Sequence, residues 1–176
     1  MDHALSGSRR PRRVVRSLLT ALALALGALF APGVGVVGGA TEAHAVTKLS
    51  HAQATAMFRD AGITWSSSGG CSDRNQPNCT SFTQLNLSSA QGAQTLKQAS
   101  RCALNITGGT ETGHANGTYS HWNGYKLDFS LSTCLSNYIT GTFASIGGSK
   151  WKSASGNIYY RESNHWDVTY YNCGGC

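Results

Sequence analysis

No stretch of this 176-residue chain is apolar enough for long enough to cross a bilayer as a helix. The richest run, residues 18–30, falls short of the ~20 residues a spanning helix needs. No HExxH occurs, which sets thermolysin-type zinc chemistry aside. No segment repeats, which excludes a solenoid, and nothing marks a second domain. Acidic residues are few, 8 against 14 Lys and Arg. Beyond residue 45 the imbalance shrinks to nine basic and six acidic residues, a net charge of +3. That modest charge argues against a polyanion such as nucleic acid as partner, and it suits residence at an anionic bacterial wall.

The N-terminus has the parts of a signal peptide. Arg9, Arg10, Arg12, Arg13 and Arg16 precede the apolar run, and Ala43-His44-Ala45 supplies a small-residue cleavage site. Residues 1–45 are therefore expected to be a leader, and 46–176 a single secreted, monomeric domain without a membrane anchor after processing. Ser8-Arg9-Arg10 is a loose twin-arginine match, and the general export route fits equally well.

All six cysteines follow residue 45. An even number in an exported small domain points to disulfides. Cys71 and Cys79 flank a Pro/Asn-rich loop and form the favoured local pair. Cys173-Gly-Gly-Cys176 ends the chain after a strand-like run, so it lacks the helix N-terminus that activates a redox CxxC and is expected to be a staple.

Periodicity predicts an α+β layout, with helices packed on a small antiparallel sheet. Ser50 can cap a helix running to about Asp60, with Gly62 as its stop. Ser88 or Ser89 can start a second helix reaching about Ala99, and a short third helix fits residues 134–143. Strands are expected over 102–107, 127–131, 157–162 and 165–171, with turns at Asn123-Gly124 and Ser163-Asn164.

Only four histidines follow residue 45: His51, His114, His121 and His165. His51, near a helix start, is read as surface or hydrogen-bonded, and Trp122, Trp151 and Trp166 as packing residues. His121 lies seven residues before Asp128, and Glu162 three before His165. Asp128 is out of phase with Leu127 and Phe129, so it faces away from the side they bury. A chain reversal at Asn123-Gly124 can bring the His121 imidazole to the Asp128 carboxylate. Two imidazoles and a carboxylate make three zinc ligands with a fourth position left for water. Glu162 is then the candidate general base.

Ser120-His121-x-x-Gly124-x-x-x-Asp128, followed by Glu162-x-x-His165, resembles the zinc D-Ala-D-Ala carboxypeptidases and dipeptidases of bacterial cell walls, which share a fold with the Hedgehog signalling domain. Leu104-Asn-Ile-Thr-Gly-Gly and Tyr159-Tyr160-Arg-Glu162 are also similar, and the resemblance spans roughly residues 95–171. It implies a zinc held by His121, Asp128 and His165, Glu162 as base, and peptidoglycan stem peptides or related D-amino-acid peptides as substrates.

Two departures stand out. The Arg such enzymes carry after the strand equivalent to 102–107 is missing, and His114 or Arg161 is the substitute on offer. Some relatives end in HxH, whereas this chain reads His165-Trp-Asp167, which makes Asp167 the rival of His165 for the third ligand position. Two other functions compete with peptide hydrolysis. One is a non-catalytic, metal-containing module binding wall or protein. The other is a metal-free ribonuclease using Glu162 with His121 or His165.

Overall fold

A computed structural model describes residues 46–171, so the expected leader and the staple expected at Cys173 and Cys176 lie outside the described residues. Strand β1 (Lys48–Leu49) leads into helix α1 (His51–Asp60). Ser50 caps α1 in a full capping box: its hydroxyl accepts from the Gln53 amide, and the Gln53 side chain accepts from the Ser50 amide. Strands β2 (Thr64–Trp65) and β3 (Leu85–Asn86) precede helix α2 (Leu87–Ser100), which ends with Arg101 in the left-handed region. Strands β4 (Asn105–Gly108) and β5 (Lys126–Ser130) follow, then helix α3 (Thr133–Thr142), capped by Ser132. The chain continues through β6 (Ala144–Gly147), β7 (Lys150–Lys152), β8 (Ile158–Arg161) and β9 (His165–Thr169).

Seven strands form one sheet in the order β2-β4-β5-β9-β8-β7-β6, and β1 pairs with β3 separately. The α+β class is as expected. The sheet is mixed rather than antiparallel, because β2 runs parallel to β4. A parallel pair needs a crossover, and the intervening chain carries α2 as that crossover. The β6–β7 hairpin was not anticipated either: every residue of β6 is exposed, so its sequence lacks the alternation that marks a half-buried strand.

The core collects one face of the sheet and one stripe of each helix. Phe58 of α1, Ala93 and Leu96 of α2, and Leu135 and Ile139 of α3 join Ile106, Leu127, Phe129, Trp166 and Val168 in a single cluster. Two disulfides staple it. Cys71–Cys79 closes the loop between β2 and β3, as expected, and Cys102–Cys134 ties the approach to β4 to the first turn of α3. The second link closes a separation of 32 residues, worth about 4 kcal/mol in the chain-entropy account. It holds α3 against the strand pair whose opposite face carries the polar residues described next.

Candidate metal centre

Strand pairing decides which side chains meet. Asp128 on β5 pairs with Asp167 on β9, and Ser130 pairs with His165. Strand side chains alternate between faces, so Lys126, Asp128, His165 and Asp167 share the face turned away from the core. On the other side of β5, Gly108 is the cross-strand partner of Asp128. A Cβ there would stand 2.3 Å from Asp128 Oδ2, so only glycine lets β4 come this close to the carboxylate.

His121 arrives on the loop between β4 and β5. The Gly124 amide donates to His121 O at 2.8 Å, and Tyr125 N donates to Ser120 O at 3.1 Å, closing a tight turn. Gly124 has φ +77°, and a Cβ on it would meet Gln84 O at 2.4 Å. Backbone conformation and space thus both require glycine at this point of the motif. The turn drops a buried His121 onto the strand: its Nε2 is 3.3 Å from Asp128 Oδ1.

Three histidines surround Asp128. His165 Nε2 lies 3.4 Å from Asp128 Oδ1 and 3.4 Å from Glu162 Oε2. His114 Nδ1 lies 3.8 Å from Asp128 Oδ2, and its ring stacks on His121 with centroids 3.8 Å apart. Each ring is held by its far nitrogen. His121 Nδ1 bonds Gly109 O at 2.7 Å, His114 Nε2 bonds Glu111 Oε1 at 3.2 Å, and His165 Nδ1 bonds Asn164 Oδ1 at 2.8 Å. A carbonyl can only accept, so Nδ1 of His121 carries a proton in either charge state, and when the ring is neutral the Nε2 lone pair is the one that faces Asp128.

Acidic groups are concentrated here. Of the six acids beyond residue 45, Glu111, Asp128, Glu162 and Asp167 all lie at this cluster. Burial works against the imidazolium of His121, yet the carboxylates of Asp128 and Asp167 outweigh it and push its pKa up to about 10. Burial also works against the Asp167 carboxylate, but His121 and Lys126 more than offset it and lower its pKa. Lys126 Nζ donates to Asp167 Oδ2 at 2.7 Å. Asp128 Oδ1 and Asp167 Oδ1 are buried without a hydrogen-bond partner. A buried, unsatisfied carboxylate oxygen calls for a cation beside it.

Among the described residues, His114, His121 and Asp128 each offer one ligand atom within 4.8 Å of the others, and this group could hold a metal ion. His114, expected in a catalytic role, thus stands in the metal-capable group where His165 was expected, while His165 touches the same Asp128 oxygen from outside that group. Arg161, the other substitute for the missing Arg, is turned away: it pairs across from Trp166, and its guanidinium lies 5.9 Å from that ring's centroid, on the opposite face from Asp128. Asp167 is present at the cluster but is engaged by Lys126, with Oδ2 3.9 Å from His121 Nε2. His51 is a packed histidine: it accepts the Phe82 amide at 3.1 Å and stacks on that ring.

Glu111 had no assigned role in the sequence reading. It is 2 % exposed, and its carboxylate accepts the amides of Ser81 and Gly109 as well as bonding His114. Burial opposes its charge, and these bonds, His114 first, more than offset that and lower its pKa. Its sequence signal was weak, a lone acid three residues before a loop histidine. Two clefts flank the cluster. One, of roughly 270 Å³, touches Glu111, His114 and Trp122. The other, of roughly 380 Å³, touches Lys126, Asp167 and Tyr160.

Comparison of the chain with protein-family models, with curated proteins and with solved structures finds no match in any of the three. No described helix is long and apolar enough to cross a membrane.

Proposed function

We propose that this protein is an exported zinc peptidase acting on peptidoglycan stem peptides or related D-amino-acid peptides, with a Hedgehog/DD-peptidase-like fold. The observation that carries the reading is the setting of Asp128 Oδ1. It is buried, has no hydrogen-bond partner, and is flanked by His121 Nε2 at 3.3 Å and His165 Nε2 at 3.4 Å. Tetrahedral ligands on zinc bonds of about 2.0–2.1 Å stand roughly 3.3–3.4 Å apart, the spacing each of these nitrogens keeps from Asp128 Oδ1, and His114 is the imidazole whose ligand atom lies within 4.8 Å of both His121 and Asp128. His121, Asp128 and His165 would hold the zinc. Asp167 is the weaker candidate because Lys126 already occupies its outer oxygen.

Zinc, when bound, supplies a Lewis acid that polarises a carbonyl and acidifies water. Glu162 Oε2 stands beside His165, and the Glu162 side chain is 37 % exposed, so it can reach both solvent and substrate. It takes one proton from the attacking water as the water oxygen bonds to the peptide carbonyl carbon. The C–N bond then breaks, and the same proton passes to the leaving amine nitrogen. Glu111 fixes the His114 ring, and Gly109 O fixes His121, so neither ring has to be reoriented as substrate binds.

Export is supported by the two disulfides, which persist in oxidising compartments. One observation favours a second reading, a metal-stabilised binding module. His114 lies close enough to serve as a further protein ligand, which would close the position water needs. One experiment separates the two. The zinc-loaded protein is incubated with a synthetic peptide ending in D-Ala-D-Ala, with and without chelator, beside Glu162→Gln. The peptidase reading expects hydrolysis that chelator abolishes, and a Gln variant that keeps metal but not turnover. Hydrolysis surviving in the Gln variant removes Glu162 from the mechanism. Peptide binding without hydrolysis in either protein favours the module.

A further inference from the structure

The larger cleft lies beside the metal-capable cluster on the same face of the sheet, and Asp167 belongs to both. Its walls include Tyr119, Lys126, Lys150, Tyr160 and Tyr171. The charges do not cancel. Lys126 is taken up by Asp167 at 2.7 Å, while Lys150 forms no ion pair among the described residues. The Lys150 ammonium instead lies 4.9 Å from the centroid of the Tyr160 ring. An uncompensated cation above aromatic walls is built to receive an anionic group on a chain that can pack on those rings.

Strand register gives the distance. Asp128 pairs with Asp167, and Asp167 with Tyr160, the ring under the Lys150 ammonium. Two interstrand steps of about 4.8 Å lead from Asp128 to Tyr160 and a third to Lys150, and the ammonium stands 4.9 Å from the Tyr160 centroid, so it lies roughly 10–15 Å across the sheet from Asp128. An extended peptide advances about 3.3–3.6 Å per residue, so the span is roughly three to four residues.

We infer that this cleft is a substrate subsite in which Lys150 binds a peptide carboxylate roughly three to four residues from the bond positioned at the metal centre. The inference rests on the peptidase reading for the identity of the bond and adds the substrate class: peptides carrying an acidic group at that distance, rather than any chain with a suitable terminus. Tyr160 and Tyr171 pack against the intervening residues, and Lys126, neutralised by Asp167, contributes no net charge.

The test uses two peptides that differ in one carboxylate, L-Ala-γ-D-Glu-L-Lys-D-Ala-D-Ala and its D-isoglutamine form. The zinc-loaded full domain is expected to show a KM roughly fivefold lower for the carboxylate form, a ratio that shrinks with added salt. Lys150→Ala is expected to erase the ratio. Lys152→Ala, which removes the same charge outside this cleft, is expected to keep it. A ratio unchanged in Lys150→Ala, or absent in the wild-type protein, overturns the subsite. If neither peptide is cut, calorimetric binding to the chelator-stripped protein takes over. Lys150-dependent preference for the carboxylate form then upholds the subsite and counts against the peptidase reading alone, whereas equal binding of the two peptides overturns the subsite.

Discussion

On one face of the β5–β9 strand pair, Leu127, Phe129, Trp166 and Val168 are at most 1 % exposed and surrounded by apolar side chains. On the other face, made of alternate residues of the same strands, Asp128 and Asp167 are 5 % and 8 % exposed, and each leaves a carboxylate oxygen unpartnered. Burial is nearly equal, but its physical consequence is opposite. The apolar face gains roughly 25 cal/mol for each Å² removed from water. The polar face costs desolvation energy, offset in part by the Lys126 ammonium on Asp167 and the His121 imidazole beside Asp128.

Breaking the apolar face should have the largest effect on folding. Phe129→Ala is expected to cost about 3–5 kcal/mol by denaturant titration, because it empties a fully buried site. A loss under 1 kcal/mol would mean that this face does not anchor the strand pair. On the polar face the expected effect is on chemistry and not on folding. Glu162→Gln should lower turnover by at least about 10²-fold with an unchanged thermal midpoint and metal content.

The contrast also sets a pH dependence. Metal-free His121 has a folded pKa of about 10 against an ordinary 6.5. A raised folded pKa contributes stability that is fully present below about 6.5 and lost as the pH climbs toward 10. The metal-free midpoint should therefore fall across that window, while zinc affinity rises as His121 gives up its proton. A midpoint that rises with pH would contradict a proton held on His121. The depressed Glu111 and Asp167 act at the opposite end, their contribution being lost as pH falls through the acidic range. The smallest effect is expected from Glu111→Gln, which loosens the His114 ring. Zinc affinity measured by competition should drop about tenfold, and an unchanged affinity would leave His114 without a part in the centre.

Much of the apolar face was legible in the sequence. Alternation at Leu127 and Phe129, the Ser50 cap and the turn at Ser163-Asn164 carry local signals, and the corresponding elements lie within a few residues of their expected bounds. The β2–β4 pairing and the exposed β6 carry none, since β2 has only two residues and β6 no buried side. Of the polar face, the spacing from His121 to Asp128 and from Glu162 to His165 could be seen, because a turn and a register translate spacing into proximity. Glu111 and Lys126 could not, because their roles depend on which loop and which strand face them across the fold. The Cys102–Cys134 pairing was hidden for the same reason: its partners are brought together by α3 docking and not by anything near either cysteine.

The account stands most directly on metal content. The protein is stripped with chelator, reloaded with zinc, desalted and analysed by elemental mass spectrometry beside Asp128→Ala. One ion per wild-type chain and far less than one in the variant is the predicted result. A wild-type protein that retains no zinc, or a variant that loads as fully, would contradict the metal centre and with it the reading of the polar face.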